Sequence, residues 1–349
     1  MKKVNKATRK NFLTYALVIA AYGVLQSMVS SGSISSAMKG MLVPICAYVV
    51  MAVSLNLTVG VLGELSLGHA GFMSVGAFTG VTAAMAFKGI VASAPLRLLI
   101  GMVVGAGFAA IAGVLIGIPV MRLKGDYLAI VTLAFGEIIK SIVTNLYVGV
   151  DENGLHLSML TNKLDLGEGG RMIINGPMGI TTIEKISTFT AGFLLVMVTL
   201  IIVFNLVNSR SGRAIMAIRD NRIAAESVGI NITRYRMTAF VISAALAGAA
   251  GTLFAMNFST IIASKFDFNT SILVLVFVVL GGLGNMLGSI IAAAALTILP
   301  EALRGFADYR MLIYAVILII VMLTTNNKAV GDLLQKLLPG KKEEEESHG

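Results

Sequence analysis

Charge is what this sequence has least of. Asp, Glu, Lys and Arg make up 13% of its 349 residues, against 56% hydrophobic residues and a mean hydropathy of +0.88. No water-soluble fold of this size manages with so little charge, so the composition leads to an all-α polytopic integral membrane protein. Cysteine is nearly absent too. Cys46 stands alone within a hydrophobic run, which excludes an intrachain disulfide. Histidine occurs only at His69, His156 and His348, and no His/Cys/Asp set has metal-ligand spacing. A phosphate-binding G-x-x-x-x-G-K-[ST] loop is missing, so the chain cannot bind and hydrolyse ATP by itself. Neither a nucleophile elbow nor a spaced carboxylate pair suggests a membrane-embedded enzyme. No catalytic residue, metal site or cofactor is therefore assigned.

Positive charge is what remains. The net charge is +9, which elsewhere would suggest nucleic acid. Here most of it sits in the N-terminal arm 1–11 (Lys2, Lys3, Lys6, Arg9, Lys10) and in loops between apolar runs. That is the positive-inside pattern of membrane proteins, and no nucleic-acid partner is inferred. The arm and the run behind it resemble a signal peptide, yet no A-x-A-like site follows, so the run reads as a retained first helix. Apolar spans fall at about 12–29, 41–61, 66–87, 98–119, 127–149, 187–207, 237–257, 270–300 and 309–324. The whole transmembrane region is taken as 12–325. With the arm inside, residues 121–126 and 208–236 fall in the cytoplasm and 150–186 outside. The charges agree, since the outer loop sets Asp151, Glu152, Asp165, Glu168 and Glu184 against Lys163, Arg171 and Lys185. Lys88 and Arg97 break the pattern by flanking an outer loop, which snorkelling helix-end cations allow. Lys328, Lys336, Lys341 and Lys342 put the charged tail 326–349 inside as well. An even number of spans is then required. The Gly281-Gly282-Leu283-Gly284-Asn285 break can divide 270–300 into two short helices, giving about ten transmembrane helices, with eight as the alternative.

Glycine follows a rule. Gly101, Gly105, Ala109, Gly113 and Gly117 recur every fourth residue along the fourth span, and Gly76/Gly80 and Gly248/Gly251 repeat the theme. Small residues so spaced let helix backbones approach closely in lipid. Packing within the chain is the reading adopted, with homodimerisation through 101–117 as the alternative. Polar residues inside apolar spans are few and expensive, at roughly 2.5–3.5 kcal/mol for a charge at the bilayer centre. Glu64, Ser66 and His69 lie amid Gly63, Gly68 and Gly71. They either brace a turn or mark a broken helix lining a solute path. Glu137 and Lys140 can pair at i,i+3. Asn56 and Thr132 can hydrogen-bond between helices or face the path. The candidate path is therefore Asn56, Ser66, Gly68, His69, Gly71, Thr132 and Glu137.

The longest polar, helix-permissive stretch between spans runs from Ser209 to Met237. In it Arg210, Arg213, Arg219, Arg222, Arg234 and Arg236 stand against only Asp220 and Glu226. Residues 213–228 contain neither Gly nor Pro and suit a helix, and Gly229 punctuates its end. Arg219, Arg222 and Glu226 share one side of that helix, together with Ile215. Such a segment is either a topology-setting basic loop or a short helix that docks into a partner.

The sequence R-A-I-M-A-I-R-D-N (213–221), A-A-E-S-V-G-I (224–230) and R-Y-R (234–236) resembles the coupling loop of ABC importer permeases. More narrowly, it is similar to the M-type permeases of the branched-chain amino-acid ABC importers, the LivM/LivH-like family. V-S-L-N-L-T-V-G-V-L-G-E-L-S-L-G-H-A-G-F-M-S-V-G-A-F (53–78), R-L-K-G-D-Y-L-A-I-V-T-L-A-F-G-E-I (122–138), N-G-P-M-G-I (175–180) and V-L-G-G-L-G-N-M-L-G (279–288) follow the same family in order. Residues 150–174 and the acidic tail have no clear counterpart. The resemblance implies a cell inner membrane protein of a prokaryote with both termini cytoplasmic. It implies a second homologous permease subunit, two ATP-binding cassette subunits that bind the ATP, and an extracytoplasmic solute-binding protein. It implies leucine, isoleucine and valine, or another hydrophobic amino acid, as solute. It further implies ATPase coupling through Arg213, Arg219, Asp220, Arg222, Ala224, Ala225, Glu226, Gly229 and Tyr235. The alternatives are an importer of urea or another small solute on the same architecture, or a stand-alone secondary transporter or channel.

Overall fold

The computed structural model describes residues 6–123, 126–151, 154–159 and 170–303, with 312–313, 315–316 and 319 beyond them. Seven described helices are long and apolar enough to cross a membrane. They are α1 (Lys6–Ser30), α2 (Ser36–Asn56) extended by a π-helix at Leu57–Val61, α3 (His69–Ala86), α4 (Ala94–Val120), α5 (Asp126–Thr144), α6 (Phe189–Asn208) and α9 (Ile232–Ala255). Between α6 and α9 lie the short helices α7 (Arg210–Asp220) and α8 (Arg222–Ser227). The apolar region 270–300 is divided into α10 (Phe268–Gly281) and α11 (Met286–Ala302). Gly282 (φ +90°) and Gly284 (φ +78°) take left-handed backbone there, which ends one helix before the next begins. At 14 and 17 residues these two helices are shorter than the roughly 20 residues that usually cross a hydrocarbon core. The described residues thus hold seven full-length candidates and two short ones, rather than ten of one kind. The span expected at 309–324 and the tail 326–349 fall wholly or mostly outside the described residues. So do 1–5 of the basic arm, 124–125 of the loop at 121–126, and 152–153 and 160–169 of the loop at 150–186. Residues 295–349 form a unit separate from 6–294.

An all-α fold needs one correction. Tyr147–Asp151 (β1), Gly154–Ser158 (β2) and Arg171–Asn175 (β3) form an antiparallel sheet in the order β2-β1-β3. Val148 pairs with Leu157 on one side and Ile174 on the other. The fifth span accordingly ends at Thr144 instead of 149. Hydropathy alone extended it, because Tyr-Val-Gly-Val is as apolar as a helix end while its β-branched residues suit a strand.

The centre of the bundle is α3, α4 and α9, packed backbone against backbone. A Cβ on Gly76 would collide with the backbone of Gly248, and one on Gly251 with the carbonyl of Met73. The Thr252 hydroxyl donates to the Gly76 carbonyl at 2.8 Å across that contact. Along α4, Gly101 faces Gly80 of α3, Gly105 faces Thr252 and Gly76, Gly113 faces Ala244, and Gly117 faces Met237. The glycine stripe is therefore occupied within the chain, which leaves it no face for a homodimer. The other side of α4 exposes Leu99, Val103, Phe108, Ile111 and Leu115, an all-apolar surface suited to lipid.

Lys88 and Arg97 share a counter-ion. Glu184 receives two hydrogen bonds from Arg97, at 3.1 and 3.3 Å, and lies 3.2 Å from the Lys88 ammonium. Loop 87–93 and the start of α4 thus meet loop 180–188 through Glu184, and the bridge between Ile180 and Ile261 ties that loop to the segment after α9. Arg97 foremost, and Lys88 after it, hold the Glu184 carboxyl below the usual carboxylate range.

Two outcomes follow. The chain has no tryptophan and one buried thiol, so labelling of Cys46 by a fluorogenic maleimide reports unfolding. Gly76→Val is expected to lower the labelling midpoint sharply, by the 1–3 kcal/mol or more typical of overpacking. Gly107→Ala, where nothing lies within 4 Å of the new methyl, is expected to leave it unchanged or raised. A depressed folded-state carboxyl stabilises above its unfolded value and loses that contribution as pH falls through the folded one. The stability difference between the parent and Glu184→Gln is therefore expected to be full at neutral pH and to shrink as pH drops below about 4.5. A pH-independent difference would contradict the pairing.

Candidate functional site

The site begins where α2 stops being an α-helix. Five residues, Leu57–Val61, wind as a π-helix, and Gly63 (φ +80°) then turns the chain into an irregular run up to His69. Each break frees backbone groups that lipid cannot satisfy. Side chains from other helices meet them. Asn56, fully buried, accepts from the Gly284 amide at 2.8 Å and donates to the Ser289 hydroxyl at 2.8 Å. It thereby ties α2 to the break between α10 and α11. Thr132 of α5 accepts from the Leu67 amide at 3.1 Å, and Ser271 of α10 accepts from the Ala70 amide at 3.1 Å. Gly68 has no room for a Cβ beside the Thr132 carbonyl, and Gly71 sits against Gly136. His69 Nε2 and the Ser54 hydroxyl are 2.8 Å apart, while Ser243 donates to the Ser54 carbonyl and accepts from Thr58.

Of the residues expected to line a path, Asn56, Ser66, Gly68, His69, Gly71 and Thr132 therefore lie inside the helix packing. Ser66 is buried with its hydroxyl unpartnered. Glu137 is the half-exposed member, paired with Lys140 at 3.0 Å. It borders a narrow crevice shared with Leu67, Gly71, Leu133, Asp267 and Ser271.

Glu64 braces the turn. Arg236, only 3% exposed, forms an ion pair with it and donates to the carbonyls of Met121 (2.7 Å) and Leu123 (3.5 Å). Burial pushes the Glu64 carboxyl above the usual carboxylate range, and Arg236 pulls against that shift. Sequence reading counted Arg236 among the charges of a basic loop. The signal for its burial is its place immediately before the apolar run that starts at Met237.

The stretch 213–228 is two helices rather than one. Asn221 adopts extended backbone (φ −154°, ψ 105°) and its side chain accepts from the Ala224 amide at 3.1 Å, so it caps α8 and terminates α7. Ser209 caps α7 and Asn231 caps α9 in the same manner. Gly229 (φ +82°) closes α8 in left-handed backbone, its amide donating to the Glu226 carbonyl at 3.0 Å. The result is a compact hook. Ile218, Ala225 and Ile232 form its small core, with Ala217, Ile230 and Tyr235 packed on it. Of the residues expected to couple to the ATPase, Ala225 is therefore buried within the hook and Tyr235 is packed on its core, partly exposed. The outer side of α8 carries Arg222, Ile223, Ala224, Glu226 and, just beyond, Val228. Ile223 is 81% and Val228 75% exposed; both were overlooked, although two apolar side chains in a polar stretch were the available clue. Arg213 is exposed near the start of α7, and Asp220 pairs with Arg219 at 2.9 Å. Arg219 turns away from the outer side of α8. Its Nη1 donates to the Gly60 carbonyl at 3.1 Å.

Breaking the buried ion pair tests the site's rigidity. Arg236→Ala leaves Glu64 and two carbonyls without a donor and is expected to cost about 3–5 kcal/mol. Glu64→Gln combined with Arg236→Met should recover most of that loss, because it removes both charges together. Cys46 labelling on heating checks both variants, and equal damage from single and double changes would refute the pairing's role.

The chain matches the family model described as "Branched-chain amino acid transport system / permease component" over residues 37–322. It is 37% identical over 315 residues to the high-affinity branched-chain amino acid transport system permease protein LivM of Salmonella typhimurium. It is 35% identical over 324 residues to the protein of that name from Escherichia coli. Each alignment covers 87% of this chain and 71% of the relative. A probable branched-chain amino acid transport permease protein LivM of Methanocaldococcus jannaschii is 25% identical over 278 residues, or 69% of this chain and 74% of its own. No solved structure matches the chain significantly. Apolar helices knit by glycine, a polar hook between two of them, and a family match running from α2 past α11 lead to one assignment: this chain belongs to the permease family of branched-chain amino acid ABC transport systems.

Proposed function

We propose that the chain is the transmembrane permease subunit of an ATP-driven importer for leucine, isoleucine, valine or a similar hydrophobic amino acid. It forms the translocation path with a second, homologous permease, receives solute from an extracytoplasmic binding protein, and docks two ATP-binding subunits that bind and hydrolyse the ATP. It lies in the inner membrane with both termini and the hook in the cytoplasm and residues 150–186 outside. The relatives' names support the solute class. The shared counter-ion of Lys88 and Arg97 supports the sidedness, because it neutralises the two cations that violate the charge rule.

The observation that carries the reading is the outer side of α8. Ile223 and Ala224 stand exposed on α8 and Val228 just beyond its end, over the small core of the hook and flanked by Arg222 and Glu226. An apolar centre with a charged rim is the usual anatomy of a protein docking site. On the path side, α5 differs from its neighbours in one respect. The exposed faces of α4, α5 and α6 all carry large apolar side chains, such as Leu99 and Val103, Ile130 and Ile138, or Leu194 and Val198, but α5 adds the partly exposed ion pair of Glu137 and Lys140. Charges at that depth belong against protein or water, so this face is assigned to the seam with the second permease.

Ile223→Asp is expected to reduce co-purification of the ATP-binding subunits about tenfold or more, the scale of one buried aliphatic side chain. Glu226→Lys should act likewise, while both variants insert and keep the parent's Cys46 labelling midpoint. Normal co-purification and normal leucine uptake for both would leave α8 a basic linker and remove the mechanism.

A further inference from the structure

The hook is joined to the break between α10 and α11 by polar contacts at two positions one turn apart on the end of α2, Gly60 and Asn56. Gly60 lies near the end of the π-helix, where carbonyls run out of helical partners. The Glu64 amide, which a continued α-helix would direct to it, donates to the Thr58 carbonyl instead. Arg219 fills the vacancy from α7, with Nη1 at 3.1 Å from the Gly60 carbonyl. Its stem lies over Gly63, where a Cβ would come within 2.6 Å of Arg219 Cγ. Asp220 holds the far side of the guanidinium through Nε (3.0 Å) and Nη2 (2.9 Å). One turn back from Gly60, Asn56 grips the Gly284 amide and the Ser289 hydroxyl. Gly60 and Gly284 approach so closely that a Cβ on Gly60 would meet both the Asn56 side chain and the Gly284 backbone. Every group in this series lies within the unit 6–294.

We infer that Arg219 is a positioning residue that transmits movement of the α7–α8 hook, through the Gly60 carbonyl and Asn56, to the glycine break between α10 and α11. It is then no contact of the ATP-binding subunit. The inference rests on the docking reading of α8 but uses different residues. A hook displaced by a partner pulls on one bond at Gly60, and the left-handed glycines at 282 and 284 are where the far end can hinge. The guanidinium suits the task because its fork binds a carboxylate and a carbonyl at once in fixed geometry.

The test uses the assembled complex in liposomes, reading leucine taken up per ATP hydrolysed together with retention of the ATP-binding subunits. Arg219→Ala should keep those subunits bound while uptake per ATP falls roughly tenfold, the scale of a lost hydrogen bond from a charged donor. Arg219→Lys, which retains one donor within reach of Gly60, should recover part of it. Asn56→Ala should uncouple similarly, and the double variant should be no worse than the more severe single one, because both cut the same link. Loss of the ATP-binding subunits from both Arg219 variants would overturn the inference by making Arg219 a docking contact. An uptake ratio within about twofold of the parent for Arg219→Ala would overturn it too, as would multiplying defects in the double variant. Ile223→Asp separates the two claims. Its failure to release the ATP-binding subunits would strike the docking reading, whatever Arg219 does.

Discussion

Close backbone contact among α3, α4 and α9 is the constraint on which the rest depends. In lipid, apolar side chains gain nothing from touching each other rather than acyl chains, so helices must cohere through van der Waals fit and hydrogen bonds. Glycine at Gly76, Gly105, Gly248 and Gly251 removes the side chain at the crossing, and Thr252 adds a hydroxyl that bonds across it. The large apolar residues are thereby released to the outer faces of α1, α4 and α6. α2, threaded through this core and almost entirely buried, gains a rigid cradle for its irregular end.

That cradle makes the breaks possible. A π-helix, a left-handed glycine or a gap between half-helices each leaves amides and carbonyls bare at a depth without water. The intramembrane polar residues answer those vacancies nearly one for one: Asn56 for the Gly284 amide, Thr132 for Leu67, Ser271 for Ala70, Arg236 for the carbonyls of Met121 and Leu123. Their chemistry is that of backbone satisfaction. Glu137 differs, because its partner is the mobile end of Lys140 rather than a backbone group.

The seven long spans, the polar segment between α6 and α9 and the division at Gly281–Asn285 were legible because each leaves a local mark: hydropathy over some twenty residues, a run without Gly or Pro, or paired glycines. The spacing of Gly101, Gly105, Gly113 and Gly117 named the packing face of α4 but not its partners, which come both from the preceding helix α3 and from α9, more than a hundred positions away. The sheet at 147–175 escaped, since a short apolar strand and a helix end look alike to hydropathy. The fate of the arginines escaped for another reason. Arg219, Arg222 and Arg236 are equivalent as sequence, yet one reaches Gly60, one faces solvent and one is buried against Glu64. Only tertiary distance distinguishes them. The Asn221 cap was readable in principle, but a helix-permissive composition on both sides concealed it.

The glycine crossing also governs how the sequence can drift. Single-base changes in a glycine codon lead only to residues that add at least a Cβ, and at Gly76, Gly248 and Gly251 that atom would fall on a neighbouring backbone. No intermediate size exists between none and too large. These positions cannot be exchanged one at a time by small steps, as core leucines and valines can. The lipid-facing side of α4 has no such restriction, so the two faces of one helix are expected to record ancestry at very different rates.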